Sequence, residues 1–120
     1  VELSTELTFT TVLAKAPMRD SAAVHASPGG VAVAGLLNQT APCFGIASSA
    51  TQEGERVVLR LTATETRQTC ATFAAGAFDY GVVAKGLAPG VYDVDVVHRV
   101  AFKDGRTVEE KVGSQRVRVP

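Results

Sequence analysis

Residues 87–97, LAPGVYDVDVV, combine a turn signal with a strand signal. Proline fixes φ near the value that the second position of a β-turn requires, and glycine adopts a positive φ at little cost, so Pro89-Gly90 predicts a turn. After this turn, apolar and acidic residues alternate from Tyr92 to Val96, which is the two-residue period of a strand with one buried face. The stretch therefore predicts a tight turn that leads directly into a half-buried strand.

Short alternating segments separated by turn residues recur along the whole chain. Helical periodicity is absent over any useful length, and the β-branched residues Val and Thr, which favour strands, are frequent. The pattern predicts a single domain, residues 1–120, with an antiparallel β-sandwich of seven or eight strands. We assign strands to residues 3–13 and 31–37, the two arms around Glu53-Gly54, segments beginning at Phe78 and Tyr92, the first arm before Asp104-Gly105, and residues 115–120.

The hairpin around Glu53-Gly54 has a well-defined predicted register. A two-residue turn there places Ala50 opposite Val57 and Ile46 opposite Leu61, so that the apolar side chains of both arms share one face. A shift by one residue would bury two arginines instead, which makes that register unfavourable. We therefore expect one apolar and one polar face in this hairpin.

The last hairpin shows a conflict between register and side-chain pattern. A two-residue turn at Asp104-Gly105, a strong hairpin signal, pairs Arg99 with Glu110 but sets apolar residues of one arm against polar residues of the other. Two adjacent valines within residues 96–98 also interrupt the alternation. We expect a β-bulge at residues 96–98, which would turn the following side chains to the other face.

Charge and apolar content exclude several classes of protein. Twelve basic and twelve acidic side chains among the 120 residues cancel, which gives no electrostatic basis for binding nucleic-acid phosphates. Hydrophobic residues make up 46% of the chain, yet no apolar run approaches the roughly 20 residues of a membrane-spanning helix. The chain begins at Val1 without a leader, so we expect either that a targeting peptide has been removed or that the sequence has been shortened.

The two cysteines, Cys43 and Cys70, predict one structural disulfide. An even cysteine count in a small β domain of an oxidising compartment is typical of such a bond. A redox role is disfavoured because the sequence has no C-x-x-C motif. A zinc site would require ligands from His25 and His98, which lie in unrelated segments.

From Phe44 to Pro120 the chain resembles small uncharacterised exported bacterial domains with an immunoglobulin-like or fibronectin-III-like sandwich. The residues that carry the resemblance are Pro42-Cys43, Thr69-Cys70, residues 87–92 (LAPGVY), the step Val96-Val97-His98 and the basic–apolar last strand. The resemblance implies a structural corner at Pro89, Gly90 and Tyr92, in which the tyrosine hydroxyl bonds back to nearby backbone. It also implies a secreted protein or lipoprotein that is periplasmic or at the cell surface, with any lipid anchor on a segment outside this sequence.

The sequence predicts no catalytic, metal-binding or cofactor-binding residues. Nucleophilic catalysis requires a base that a third group orients, and neither His25 nor His98 lies in such a motif. We interpret His98 as a half-buried or surface histidine that bonds a neighbour, and His25 as solvated. Asp93 and Asp95 lie on the outward face of one strand without a calcium-loop motif, so a solvated polar face is favoured over a calcium site.

Residues 14–30 show no periodicity, and an irregular segment of this length is typically functional or mobile. The segment mixes apolar and charged side chains of the kinds found at the centre and rim of interfaces. We expect partner contacts there, and a connector without a binding role is the alternative. The predicted contact residues are Met18, Arg19, Asp20, Val24 and His25.

The favoured function is a non-enzymatic extracytoplasmic module for protein–protein interaction. We expect an accessory or stabilising subunit of a larger envelope or membrane complex, whose other members include a membrane-embedded protein. A secreted protease inhibitor or a carbohydrate-binding module is the alternative, and the lack of Trp disfavours sugar binding. If residues 14–30 make no contact, the outward face that carries Arg116 and Arg118 is the next candidate surface.

Overall fold

The protein is built from β-strands. A computed structural model describes residues 1–13, 19–39, 43–66 and 76–120. Across these ranges no helix has the length and apolar character needed to cross a membrane. The strands are β1 (Glu2–Leu13), β2 (Ser21–Ser27), β3 (Gly30–Leu37), β4 (Phe44–Glu53), β5 (Arg56–Glu65), β6 (Gly76–Lys85), β7 (Gly90–Ala101) and β8 (Thr107–Val119).

The eight strands form one mixed, nearly closed sheet in the order β2-β3-β6-β1-β4-β5-β7-β8. The two end strands approach each other, since a methyl group on Gly113 of β8 would lie 3.1 Å from the Ala22 carbonyl oxygen of β2. The predicted all-β class with about eight strands is confirmed. The prediction of a wholly antiparallel sandwich is wrong, because β5 and β7 pair in parallel and the sheet is barrel-like. The alternation of apolar and polar residues along a strand determines which face is buried, but it does not determine which strands pair with it.

Side chains on the inward faces of β3, β5, β6 and β7 form most of the core. β5 buries Val57, Leu59 and Leu61 completely, and β7 buries every second residue from Tyr92 to Val100. Burial of each such side chain contributes roughly 1.5–3 kcal/mol. Among the described residues, His98 is the only buried polar or charged side chain in this core.

A strand occupies part of the segment that we expected to be irregular. β2 pairs antiparallel with β3 through a turn at Pro28-Gly29, where Gly29 has a φ of 73°. The prediction of an irregular segment over residues 14–30 is therefore wrong from residue 21 onward. β2 buries a single side chain, Val24, so its sequence lacks the apolar alternation of a half-buried strand. β2 forms because its backbone pairs with β3. Such pairing leaves no periodicity in the sequence.

The first predicted hairpin forms with a shifted register. Glu53 lies opposite Arg56, so the turn begins at Gly54, whose φ is 60°. The pairing therefore moves by two residues from the prediction, and Ala50 lies opposite Leu59. A shift of two residues keeps every side chain on its predicted face, which is why the predicted apolar face is still the buried one.

The predicted bulge lies on the partner strand. The register of β7 and β8 shifts between Val96, opposite Gly113, and Val97, opposite Lys111, which leaves Val112 of β8 as the extra residue. The side chains of β7 consequently alternate without interruption. The prediction that β7 itself turns its side chains to the other face is wrong.

The tip of this hairpin also differs from the prediction. Arg99 lies opposite Glu109, because the connection between the strands spans residues 102–106. The predicted pair of Arg99 with Glu110 is therefore wrong. Glu109 instead forms an ion pair of 3.2 Å with Arg60 of the neighbouring strand β5.

The start of β7 contains the contact that the resemblance implies. The buried Tyr92 donates its hydroxyl hydrogen to the carbonyl oxygen of Ala88, at 2.7 Å. The chain bends at Pro89 and β7 begins at Gly90. The hydrogen bond joins the segment that enters β7 to the first buried side chain of that strand.

Candidate functional site

His98 lies on the inward face of β7, between Val96 and Val100, with 2% of its surface exposed. The prediction of a half-buried or surface histidine underestimated its burial. The neighbour-bonding part of the interpretation is confirmed, because both ring nitrogens have hydrogen-bond partners. A histidine in an otherwise apolar core is the most distinctive chemical feature of the described residues.

The partners of His98 come from two other parts of the fold. Nε2 lies 2.6 Å from the hydroxyl of Tyr80 on β6. Nδ1 lies 2.9 Å from Oδ2 of Asp20, immediately before β2. The other carboxylate oxygen of Asp20 accepts the backbone N–H of Asn38 at 2.8 Å, just after β3. These bonds connect β6, β7 and the segment before β2 across the interior, and we call Asp20, Tyr80 and His98 the polar triad.

Burial and hydrogen bonding determine the protonation of Tyr80 and Asp20. Burial, and then the charge of Asp20, raise the pKa of Tyr80, so the phenol keeps its hydrogen. Burial also raises the pKa of Asp20, but the hydrogen bonds from His98 and Asn38 outweigh it and hold that pKa below its ordinary value. An ionised carboxylate only accepts, so Nδ1 of His98 carries a hydrogen. In the neutral ring, Nε2 then accepts the hydrogen of Tyr80.

Gly35 of β3 creates the space that the Tyr80 ring fills. The two residues are directly opposite in the β3–β6 register. A methyl group on Gly35 would lie 2.5 Å from the Tyr80 hydroxyl and 2.5 Å from the Ser21 carbonyl oxygen. A side chain at this position would therefore displace the ring or the β2 backbone, so the glycine is required for the geometry of the triad.

A cleft of about 330 Å³ lies beside the triad, where β3 and β7 end and β2 and β8 begin. His98 lies at its base, with its side chain 1% exposed. We call this the seam cleft. One side is formed by Arg19, Asp20, Asn38 and Gln39, and the other by Val100, Phe102, Val108 and Glu110.

Contacts to β4 and β5 hold the hairpin side of the seam cleft. The rings of Phe102 and Phe44 meet edge to face with centroids 6.0 Å apart. The guanidinium of Arg106 lies 4.7 Å from the centroid of the Phe102 ring. The backbone N–H of Lys103 donates to the carboxylate of Glu65 at 3.0 Å. The tip of the β7–β8 hairpin is thus attached to the body of the sheet.

The structure separates the predicted contact residues. Arg19 and Asp20 line the seam cleft. Val24 is 1% exposed in the core, so its predicted role as an interface residue is wrong. His25 is exposed on β2, and Met18 lies outside the described residues.

The predicted disulfide stays a prediction. Cys43 is buried directly before β4, with 2% of its surface exposed. Cys70 lies outside the described residues.

The acidic residues of β7 lie on the outward face, as predicted. Asp93 accepts from Arg116 at 3.0 Å, and this hydrogen bond lowers the pKa of Asp93. Asp95 forms a 3.2 Å ion pair with Arg56. Within the described part of the chain, no three His, Cys, Asp or Glu side chains form a group that could hold a metal ion. The carboxylates therefore serve as cross-strand partners of arginines.

The triad is suited to holding a rigid position. Both nitrogens of His98 are engaged, so neither is open to take a proton from a bound molecule or to ligate a metal. A phenol with a raised pKa is a poor nucleophile at neutral pH, because little of it is ionised. The arrangement can hold β6, β7 and the start of β2 in register beneath the cleft.

One signal for His98 was present in the sequence. Uninterrupted alternation from Tyr92 through Val94 and Val96 places His98 on the buried face. Assigning the bulge to β7 removed this signal. Asp20 has no corresponding signal, because its partner lies on a strand far away in the sequence. The comparisons add no family or function: no protein-family model, curated protein or solved structure matches this chain.

Proposed function

We propose that the protein is a non-enzymatic extracytoplasmic module that binds another protein, as an accessory or stabilising subunit of a larger envelope or membrane complex. The observation that carries the proposal is the seam cleft. Its base is held by the polar triad, and its hairpin side presents Val108 with 54% of its surface exposed. An exposed apolar residue beside charged ones is the composition of an interface centre and rim.

The chemistry of the triad favours binding over catalysis. The hydrogen-bonding groups of the triad bond to one another, so the triad offers the cleft no free reactive group. It does give the cleft a rigid, preorganised surface. A preorganised surface lowers the entropic cost of association. The contact surface proposed here retains Arg19 and Asp20 of the predicted residues and adds the hairpin side of the cleft.

Two features support an extracytoplasmic location. The predicted disulfide of Cys43 and Cys70 would persist only in an oxidising compartment. The resemblance to exported bacterial immunoglobulin-like domains points to the periplasm or the cell surface. We include this resemblance in the proposal because of the sequence motifs and the hydrogen bond from Tyr92 to Ala88.

The carbohydrate-binding alternative gains little from the geometry of the seam cleft. Sugar rings stack on open aromatic faces, and Phe102 is the aromatic residue that lines the seam cleft. The Arg106 guanidinium covers one face of that ring at 4.7 Å, and Phe44 meets it edge to face. The ring is therefore committed to packing of the hairpin.

The test is affinity purification from native envelope membranes after chemical cross-linking, with wild type and two matched variants. Val108→Glu places a charge at the cleft, whereas Val91→Glu places the same charge on the outward face of β7, where Val91 is 36% exposed. We expect Val108→Glu to lose the cross-linked partner and Val91→Glu to keep it. Capture of no specific partner by the wild type, or loss with Val91→Glu alone, would contradict the proposal.

A further inference from the structure

We infer that the partner of the seam cleft supplies an extended segment that adds to the first half of β8 as a further strand and places one Lys or Arg side chain at Glu110. The inference rests on the proposed function, because it specifies the chemistry of the partner at the same cleft. It is carried by the exposed edge of β8, by the spacing of the side chains on that edge and by the charge of Glu110.

The first half of β8 is an accessible strand edge. β8 ends the strand order, and every residue from Thr107 to Lys111 is exposed. β2 approaches β8 further along, at Gly113, and no described strand pairs with residues 107–111 on the side away from β7. Unpaired backbone N–H and C=O groups on such an edge can accept an additional strand.

The side chains of this edge specify what an added strand must carry. Val108 and Glu110 are two residues apart, so they share a face, and both line the seam cleft. Glu109 between them points to the opposite face, where it pairs with Arg60 at 3.2 Å. Same-face neighbours on adjacent strands interact. The matching segment therefore has an apolar residue for Val108 and, two positions away, a basic residue for Glu110.

Glu110 is the carboxylate of the cleft that is available to a partner. The carboxylate of Asp20 is occupied by His98 and Asn38. Glu110 forms no salt bridge with any described residue. Arg19 also lines the cleft, and its charge disfavours a segment with several cations. A single basic residue in an otherwise neutral segment fits both charges.

In the register centred on Glu109, a second copy of the same edge is a poor occupant. Antiparallel pairing of two copies centred on Glu109 would place one Glu109 directly opposite the other. The same pairing would set Glu110 beside that pair, and like charges opposite each other destabilise a sheet. In that register the edge favours a segment of different sequence.

The experiment uses two acetylated and amidated heptapeptides, Thr-Val-Thr-Lys-Thr-Val-Thr and the same sequence with Glu in place of Lys. Each is titrated into the ¹⁵N-labelled full chain and followed by amide chemical shifts. We expect the Lys peptide to shift the amides of residues 107–111 and to bind about tenfold more tightly than the Glu peptide. Glu110→Lys should reverse this preference. Glu109→Lys, with the same change of charge on the opposite face, should leave the preference unchanged.

Three results would overturn the inference: no shifts at residues 107–111 with millimolar Lys peptide, no reversal by Glu110→Lys, or an equal reversal by Glu109→Lys. An analogue of the Lys peptide with alternate backbone amides methylated should not bind if strand addition is the mode. Undiminished binding by that analogue would also overturn it. If the peptides fail while Val108→Glu still loses the cross-linked partner, strand addition is wrong and the proposed function stands.

Discussion

The hydroxyl of Tyr80 lies 2.6 Å from Nε2 of His98, inside a core whose other buried side chains in the described residues, apart from the Tyr92 hydroxyl, are apolar. Buried polar groups are costly unless they are hydrogen-bonded, and here each ring nitrogen has a partner. The pair links β6 to β7, and Asp20 extends the link to the start of β2. Stability and the shape of the seam cleft therefore depend on the same three side chains.

Tyr80→Phe should destabilise the protein by about 1–3 kcal/mol, because Nε2 of His98 then stays buried without a partner. Urea unfolding monitored by fluorescence or circular dichroism measures the change. The double variant Tyr80→Phe/His98→Leu should cost less than the sum of the two single changes, since the residues form one hydrogen-bonded unit. Additive costs would show that the pair is not coupled.

Gly35→Ala should destabilise the protein by about 1–3 kcal/mol, because the new methyl group meets the Tyr80 ring and the Ser21 carbonyl oxygen at 2.5 Å. Gly81→Ala on the adjacent strand is the matched control. Its methyl group would lie 3.4 Å from its nearest neighbour, Oγ1 of Thr8, which is an ordinary contact. Thermal melts of both variants provide the comparison, and equal melting temperatures would contradict the prediction.

Acid should remove the contribution of Asp20 to stability. The pKa of Asp20 is lower in the folded protein than its ordinary value of 3.8. Such a group stabilises the fold fully well above its unfolded pKa, and the contribution disappears as the pH falls through the folded pKa. In urea unfolding between pH 2 and 7, Asp20→Asn should flatten the loss of stability below about pH 4. Asp93→Asn should have a smaller effect, because the ion pair of Asp93 with Arg116 is exposed and screened by solvent. Identical profiles for wild type and Asp20→Asn would exclude this role.

Tyr92→Phe should cost roughly 1–2 kcal/mol, because it removes the 2.7 Å hydrogen bond to the Ala88 carbonyl oxygen and changes little else. Denaturant unfolding at an unchanged slope gives the value. Removal of the exposed Val91 side chain by Val91→Ala, at the adjacent position, is the control and should be nearly neutral. A Tyr92→Phe midpoint equal to that of the wild type would mean that the hydroxyl contributes nothing.

Cys43 and Cys70 should be joined in the native protein. On the chain-entropy account such a loop closure contributes about 3.5 kcal/mol, so reduction should lower the unfolding midpoint. Intact mass after alkylation, with and without prior reduction, measures the state of the thiols. Alkylation of both cysteines in the unreduced native protein would disprove the bond.

The alternation of apolar and polar residues predicted which face of a strand is buried, but it did not predict which residues lie opposite each other on paired strands. The inward face of β5 was predicted correctly, because burial of alternate apolar side chains leaves a period of two in the sequence. The register of the hairpin at Gly54 was off by two residues, since a shift of two preserves that period. The strand β2 was missed because only Val24 on it is buried.

The candidate site was the least predictable part of the protein. Arg19 and Asp20 were among the expected contact residues, but the bond from Asp20 to His98 joins residues far apart in sequence. No local pattern records such a bond. Val112, the extra residue in β8, explains why β7 keeps its alternation and thus why His98 is buried. The sequence showed a bulge nearby but not which strand carried it.

The sequence by itself determined the all-β class, the inward faces of most strands and the neutral, turn-rich character of the chain. These follow from the two-residue period of strands and from the turn preferences of Gly and Pro, which act over a few residues. The tertiary structure alone decided the parallel pairing of β5 with β7, the near closure of the sheet and the meeting of Asp20, Tyr80 and His98. Those features depend on which strands become neighbours, and that choice is made by packing of the whole core.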